Sequence, residues 1–373
     1  MNKTALHERH RQLGARMVNF HDWEMPLYYT SILEEHKAVR QALGIFDISH
    51  MGQVIVDGSN AVSVLNHLMV SDINQVGCGR ACYTLMLNES GGIIDDLIVY
   101  RIGEERYLVI VNCANRATDV DWITAHRSGK VNVTNISDGR SMLAVQGPSA
   151  CHVLERILSM KIASLGRFDI VPISTVGGDA YVARTGYTGS DGFEIFLPDS
   201  KALWLWDKVL NDAKSNGVLP VGLGARDTLR VEAGLRLYGT DMDQTTTPFE
   251  AGLSWTVAIG KEGFIGQDAL KKQKQQAPSR VFVGFELSQG PVPRMGNELT
   301  VDGRKIGSVT SGTFSPLLNK PLGMGYVETA YAKPKTVLTL TVRSFRYTAN
   351  VVKLPFWTRQ IQEGVVSKAT LQK

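Results

Sequence analysis

The chain has 373 residues, 43% hydrophobic and 20% charged, with 36 glycines and a net charge of +4. That composition is ordinary for a folded protein, and the length suits two or three domains with ample core. The charge is thinly spread and no basic block is interleaved with aromatics, which argues against a nucleic-acid surface. No apolar run approaches the roughly 18 residues that a membrane span needs.

The first stretch, MNKTALHERHRQLGARM, is polar and lacks a secretory apolar region. Of the four cysteines, Cys78 and Cys82 stand at C-x3-C spacing, but no second Cys or His pair follows as a zinc site requires; Cys113 and Cys151 stand alone. They are read as reduced thiols, which points to the cytoplasm.

Taken in chain order, SILEEHKAVRQALG is the first clear helix. Ser31 and Glu34 form a capping-box pattern, Ile32, His36, Val39 and Leu43 recur at helical spacing, and Gly44 is the expected stop. GQVIVDG, DDLIVYRI, RYLVIVN, SMLAVQG and GFEIFLP read as strands. SKALWLWDKVLNDAKSNG is a second amphipathic helix, with Ser200 as its expected cap and Gly217 as its stop. One internal similarity recurs: VDGSNAVSVL from Val56 and VQGPSACHVL from Val145 both read V-x-G-x-x-A-x-x-V-L. Each spells a strand, a glycine turn and a helix, which implies two related α+β units. KKQKQQAPSR, Lys271 to Arg280, reads as a helix end and linker. Beyond it, RVFVGFEL, NELTVDG, RKIGSVTSGTF, LGMGYVETA, TVLTLTVRSF and TANVVKLPF are short strands separated by turns, an all-β module. Residues 360–373 are a polar tail, expected to be mobile.

Three stretches hold chemistry. In GGIIDDLIVY, alternation puts Ile93, Asp95, Leu97 and Val99 on one strand face and Ile94, Asp96, Ile98 and Tyr100 on the other. The two acids therefore point apart, which argues against a shared dyad. One is expected to serve the Gly91–Gly92 turn and the other to need a partner across a strand face. RTGYTGSDGFEIF reads as a hairpin turning at GSDG. Phe193, Ile195 and Leu197 share one face, and Glu194 on the other is either a ligand contact or a solvated strand position. VGLGARDTLRVEAGLRLYG sets Gly222 and Gly224 before a helix with Arg226, Asp227 and Arg230. Asp227 occupies the third glycine position of G-x-G-x-x-G, so a dinucleotide site is disfavoured. The glycines are read as admitting a close ligand or strand. The eight histidines neither cluster nor match H-E-x-x-H, so no metal is expected.

Several of these stretches, with DWEMPLYY, FDISHMGQ, PFEAGLSW and IGSVTSGTFSPLLNKPLGMGYV, resemble the T-protein family of the glycine cleavage system over residues 3 to 357. The resemblance implies a three-domain, cloverleaf-like α+β architecture. The first α+β domain takes 1–51 with 138–245, the second 52–137 with 246–275, and a β-barrel-like domain 276–359, around a central folate channel. It implies transfer of a one-carbon unit from an aminomethyl-lipoyl H-protein to tetrahydrofolate, giving 5,10-methylenetetrahydrofolate, ammonia and dihydrolipoyl H-protein, without a metal. Carried over by position, it makes Asp96 the critical acid and leaves Asp95 as a turn or structural acid. Glu194 and Arg226 become pterin contacts, Arg226 toward the carbonyl side or another acid. Tyr83, Tyr100, Asn112, Tyr187 and Tyr238 become further folate contacts. Arg294 resembles an arginine linked to H-protein docking, and either Trp357 or Arg359 stands where some members place a C-terminal folate contact. The alternatives in the same fold family are folate-dependent demethylases of sulfonium compounds, the folate-binding halves of sarcosine-type dehydrogenases, and a non-catalytic folate-binding iron–sulfur or RNA maturation branch. That last branch carries a KGCYxGQE-like string, which is absent here.

Overall fold

The computed structural model describes residues 1–176, 179–212, 217–261 and 263–358. Alternating apolar residues build two sheets that stack face to face. The first has six strands in the order Ile170–Pro172, Tyr181–Ala183, Gly192–Pro198, Arg140–Gln146, Leu43–Asp47 and Val218–Pro220, antiparallel except for the last pair. The second has five, in the order Arg80–Leu87, Ile93–Gly103, Arg106–Val111, Gly52–Asp57 and Asn132–Asn135.

Period-two patterning explains the stacking. In the first sheet, Leu143, Val145, Phe193, Ile195 and Leu197 face the helices Ala150–Leu158 and Asp199–Asp212. Their neighbours Met142, Ala144 and Phe196 join Ile55, Tyr100, Leu108 and Ile110 of the second sheet in a shared core between the sheets. Val54, Val56, Leu97, Val99 and Val109 point the other way, onto the helix Ala61–Leu68 and Ile123. The layers therefore run helices, sheet, sheet, helices.

The internal similarity is structural. In both copies the strand ends at a glycine of positive φ, +117° at Gly58 and +136° at Gly147, and a helix follows. The matching Val56, Ala61, Val64 and Leu65 lie in one core, and Val145, Ala150, Val153 and Leu154 in the other. Each glycine also allows backbone contact: a Cβ would come within 2.2 Å of the Lys130 carbonyl oxygen at Gly58 and 2.5 Å of that of Ala42 at Gly147.

The C-terminal module is a closed six-stranded barrel, with strands in the order Arg280–Leu287, Lys320–Glu328, Arg304–Ser315, Glu298–Val301, Val337–Val342 and Phe345–Val352. It packs on the helix Leu223–Glu232, where Val231 meets Phe282, Leu322, Met324 and Tyr326. Arg230 reinforces that contact. It donates to Ser311 of the barrel at 2.8 Å and pairs with Asp241 and with Asp227. The helix thus carries a buried cross-link to the barrel.

Local expectations shift in three places. The helix Ile32–Gln41 is capped by Ser31, whose Oγ accepts from Glu34 N at 3.2 Å. Gly44, however, does not stop it: Gly44 lies inside the strand Leu43–Asp47, where a Cβ would meet the Val39 and Val221 side chains within 2.6 Å. Ser200 lies within its helix, which starts at Asp199; the Asp199 carboxylate accepts from Ser141 at 2.6 Å. The GSDG hairpin is not a tight turn, because residues 184–191 form a longer connection in which Gly189 has φ +78°. The tail 360–373 and Arg359 lie outside the described residues. Among the described residues, no helix is long and apolar enough to cross a membrane.

Candidate active site

The strand Ile93–Gly103 begins at a β-bulge. Its partner register steps from Met86↔Asp95 to Leu87↔Ile93. The extra residue turns Ile94 onto the Leu97 and Val99 face, so Ile94 does not share the Asp96 side as simple alternation implies. Past the bulge the alternation holds, with Ile98 and Tyr100 on the inter-sheet side.

The two acids are separated but not isolated. Asp96 Oδ2 accepts from the Tyr83 hydroxyl at 2.9 Å, and its Oδ1 accepts from the Asn112 side-chain amide at 2.9 Å. That amide also donates to Asp95 Oδ1 at 2.8 Å, and the Asn112 backbone N–H to Asp95 Oδ2 at 3.1 Å. Asn112 follows the end of the neighbouring strand Arg106–Val111, so one amide meets both acids. Burial first, and then the Asp95 charge, raises the Asp96 pKa to about 7 against the pull of its two donors. Asp95 is fully buried and does not serve the glycine turn. Asn88 does, its Oδ1 accepting from the N–H groups of Ser90 at 3.0 Å and Gly92 at 2.9 Å.

Glu194 comes from the first sheet, on Gly192–Pro198 opposite Ala183. It is 5% exposed, which rules out a solvated strand position. Its Oε2 accepts from Thr185 at 2.6 Å and from Tyr100 at 3.4 Å. Burial raises its pKa, while the Thr185 bond and then the Arg226 charge oppose that rise. Arg226 lies in the first turns of Leu223–Glu232, its guanidinium 4.7 Å from the Tyr187 ring centroid. Gly222 and Gly224 let this helix approach its neighbours. A Cβ at Gly222 would stand 2.4 Å from the Leu27 backbone, and one at Gly224 would stand 2.6 Å from Ile32. The Tyr187 hydroxyl donates to the Arg236 carbonyl.

These groups open into one cavity of about 460 Å³ at the end of the inter-sheet core, within the size range of small-molecule sites. Tyr83, Asp96, Asn112, Tyr187, Glu194, Arg226 and Tyr238 all line it. Tyr100 does not: it sits behind Glu194, holding Thr185 and Glu194 through its hydroxyl. Trp357 lines an adjoining hollow of about 340 Å³, where Arg40 lies over its ring at 3.8 Å. Arg294 is exposed on the barrel, in a separate groove with Arg343, Phe345 and Tyr347.

Among the wall residues that sequence reading missed are Arg167, Thr185, Arg236 and Trp255. Trp255 is 69% exposed yet stacks on Tyr83 with ring centroids 5.8 Å apart. An exposed tryptophan in PFEAGLSW was the available signal; the two arginines stand in stretches without periodicity.

Comparison with known proteins agrees with this geometry. Residues 6–261 match the GCVT N-terminal domain family, and residues 280–357 match the glycine cleavage T-protein C-terminal barrel domain. An aminomethyltransferase of Halothermothrix orenii is 44% identical over 95% of this chain and 100% of its own length. One of Halalkalibacterium halodurans is 41% identical over 96% of this chain and 99% of its own. The crystal structure of the glycine cleavage system aminomethyltransferase T from Bartonella henselae superposes with a TM-score of 0.90 at 36% identity, covering 95% of this chain and 98% of that one. The chain therefore belongs to the glycine cleavage T-protein family, the aminomethyltransferases.

Proposed function

We propose that this aminomethyltransferase takes its one-carbon unit from the aminomethyl-lipoyl arm of H-protein. The acceptor is tetrahydrofolate, a co-substrate, and the products are 5,10-methylenetetrahydrofolate, ammonia and dihydrolipoyl H-protein. The observation that carries this reading is the convergence of Asp96 from one sheet and Glu194 from the other on a single cavity. A flat heterocycle whose edge presents an exocyclic amine beside a ring N–H suits the Glu194 carboxylate, held by Thr185 and Tyr100. Tyr187 and Arg226 supply a stacked wall beside it.

Atoms balance simply. The carbon leaves its sulfur and its amine nitrogen and joins two folate nitrogens. The two protons those nitrogens lose end on ammonia and on the lipoyl thiol. Asp96, as a carboxylate, accepts a hydrogen bond from a folate nitrogen and stabilises the positive charge that builds on the one-carbon unit. Tyr83 and Asn112 fix its orientation. The intact Asp95–Asp96 pair favours aminomethyl over sulfonium donors.

The division into 1–51 with 138–245, 52–137 with 246–275, and 276–359 is proposed on the ground that each sheet draws all its strands from one of these ranges. Arg294 is proposed to meet H-protein, because it is exposed and forms no ion pair among the described residues. Work in the cytoplasm fits four free cysteines.

The test is ammonia release from aminomethyl-H-protein with and without tetrahydrofolate. Folate-stimulated release is expected. Turnover of a sulfonium donor instead would overturn the aminomethyl reading.

A further inference from the structure

Behind Asp96 lies a third acid that the reaction above does not use. Asp119 sits on the helix Arg116–Ala125, wholly excluded from solvent. Neither of its carboxyl oxygens meets a hydrogen-bond donor among the described residues. The group that faces it is the carboxyl of Asp95, equally buried. Two carboxylates in contact away from water cannot both be charged, so one must hold a proton that the pair shares.

The surroundings say which. Asp95 accepts from the Asn112 backbone and side chain at 3.1 and 2.8 Å, and the Asn115 side chain also bonds it. Its charge is therefore solvated by the protein. Asp119 has no such donors, and although it lies in a first helical turn, where the dipole favours an anion, burial dominates. Burial, followed by the charge of Asp95, raises Asp119 to about 10. The titratable groups facing the cluster from the packed elements are Asp96, Tyr83, Tyr187 and Tyr238, with Asp243 beside Tyr238 and Arg236 beside Tyr83. None of these relieves Asp119.

We propose that Asp119 is a neutral positioning residue: its proton is donated to Asp95, which it holds ionised against Asn112, and through that shared amide it orients the Asp96 carboxylate. The chain of contacts runs Asp119 to Asp95, Asp95 to Asn112, and Asn112 to Asp96. The part that concerns Asp96 rests on the aminomethyl-transfer reading; the location of the proton does not.

Two readouts on the full-length protein test it, using Asp119→Asn and Asp119→Ala. The first is infrared spectroscopy of protein labelled with 13C-aspartate at mildly alkaline pH, where Asp96 is ionised. Wild type should show a protonated-carboxyl stretch that Asp119→Asn lacks. A band of full amplitude in that variant would place the proton elsewhere and overturn the proposal.

The second is the acid limb of the pH–rate profile for ammonia release. Loss of the Asp119 donor raises the Asp95 pKa further; as Asp95 becomes easier to protonate its repulsion of Asp96 weakens, and Asp96 ionises more readily. Asp119→Ala should therefore move the limb down by about one pH unit, and Asp119→Asn, which keeps a neutral donor, should return it toward wild type. A limb that stays put in Asp119→Ala, or that Asp119→Asn does not rescue, reduces Asp119 to packing and overturns the proposal. Should Asp119→Ala fail to fold, Asp119→Asn and the infrared band still decide. If the chain released no ammonia at all, the infrared result would stand while the transfer reading fell.

Discussion

Asp96 is held between a buried site that favours its neutral form and two donors, Tyr83 and Asn112, that favour the charged one. The balance sets the direction of its pH dependence. Its pKa lies near 7, and the proposed role needs the carboxylate, so transfer should fall about tenfold per pH unit below that value. A pH–rate profile checks this, and a rate flat down to pH 5 would count against it. Asp96→Asn keeps the shape and removes the charge. Turnover should drop by on the order of 100-fold or more, while the tetrahydrofolate dissociation constant, measured by titration calorimetry, stays within a few-fold of wild type. Glu194→Ala should do the reverse. It removes a charged hydrogen-bond acceptor worth roughly 1.5–3 kcal/mol, so folate binding should weaken by about 10- to 100-fold. An unchanged constant would remove Glu194 from the binding wall.

At the scale of elements, the repeated strand–glycine–helix unit was readable because each of its five matched positions has a job that only a small set of residues can do. The four apolar positions fill the two helix-side cores, and the glycine takes a positive φ beside a backbone carbonyl. Gly147→Ala should therefore cost about 2–3 kcal/mol, from strain and the clash with Ala42 together. Gly139→Ala, at φ +76° with nothing within 4 Å of a Cβ, should cost about 1 kcal/mol. Urea midpoints for the two variants compare them; equal losses would contradict the close-approach argument. The six barrel strands were readable for a similar reason, each being four or more residues long and bounded by turns. The three-residue strands Ile170–Pro172, Tyr181–Ala183 and Val218–Pro220 were not, because three residues show no period and their pairing depends on partners far along the chain.

On the scale of the molecule, the cavity belongs to the contact between the two stacked sheets and the segments that cross it. The barrel supplies none of its lining among the described residues. It acts from behind, packing Phe282 against the Arg236 guanidinium at 4.7 Å and bonding Ser311 to Arg230. Its outer groove with Arg294 lies apart from the cavity, and Arg294 is the proposed H-protein contact. Arg294→Glu should weaken H-protein binding by about 10-fold through charge reversal at an exposed site, with folate binding unaffected. Titration of the two proteins against each other tests this, and unaltered affinity would take Arg294 off the docking surface.

Periodicity and turn chemistry, both local, were enough to determine the α+β class, the two related units, an all-β C-terminal module and the splitting of Asp95 from Asp96; that this module closes as a barrel was implied by the family resemblance. The family resemblance named the residues that converge on the cavity. Tertiary structure alone decided three further things. The bulge moved Ile94 to the other face, and Tyr100 became the support of Glu194 in place of a wall. Asn112 and Asp119 tied the two separated acids into one electrostatic unit. Strand alternation states which way a side chain leaves its own backbone. It carries no information about burial between two sheets, an amide at the end of the next strand, or a carboxyl on a helix above it, and these make up the surroundings of Asp95 and Asp96 in GGIIDDLIVY.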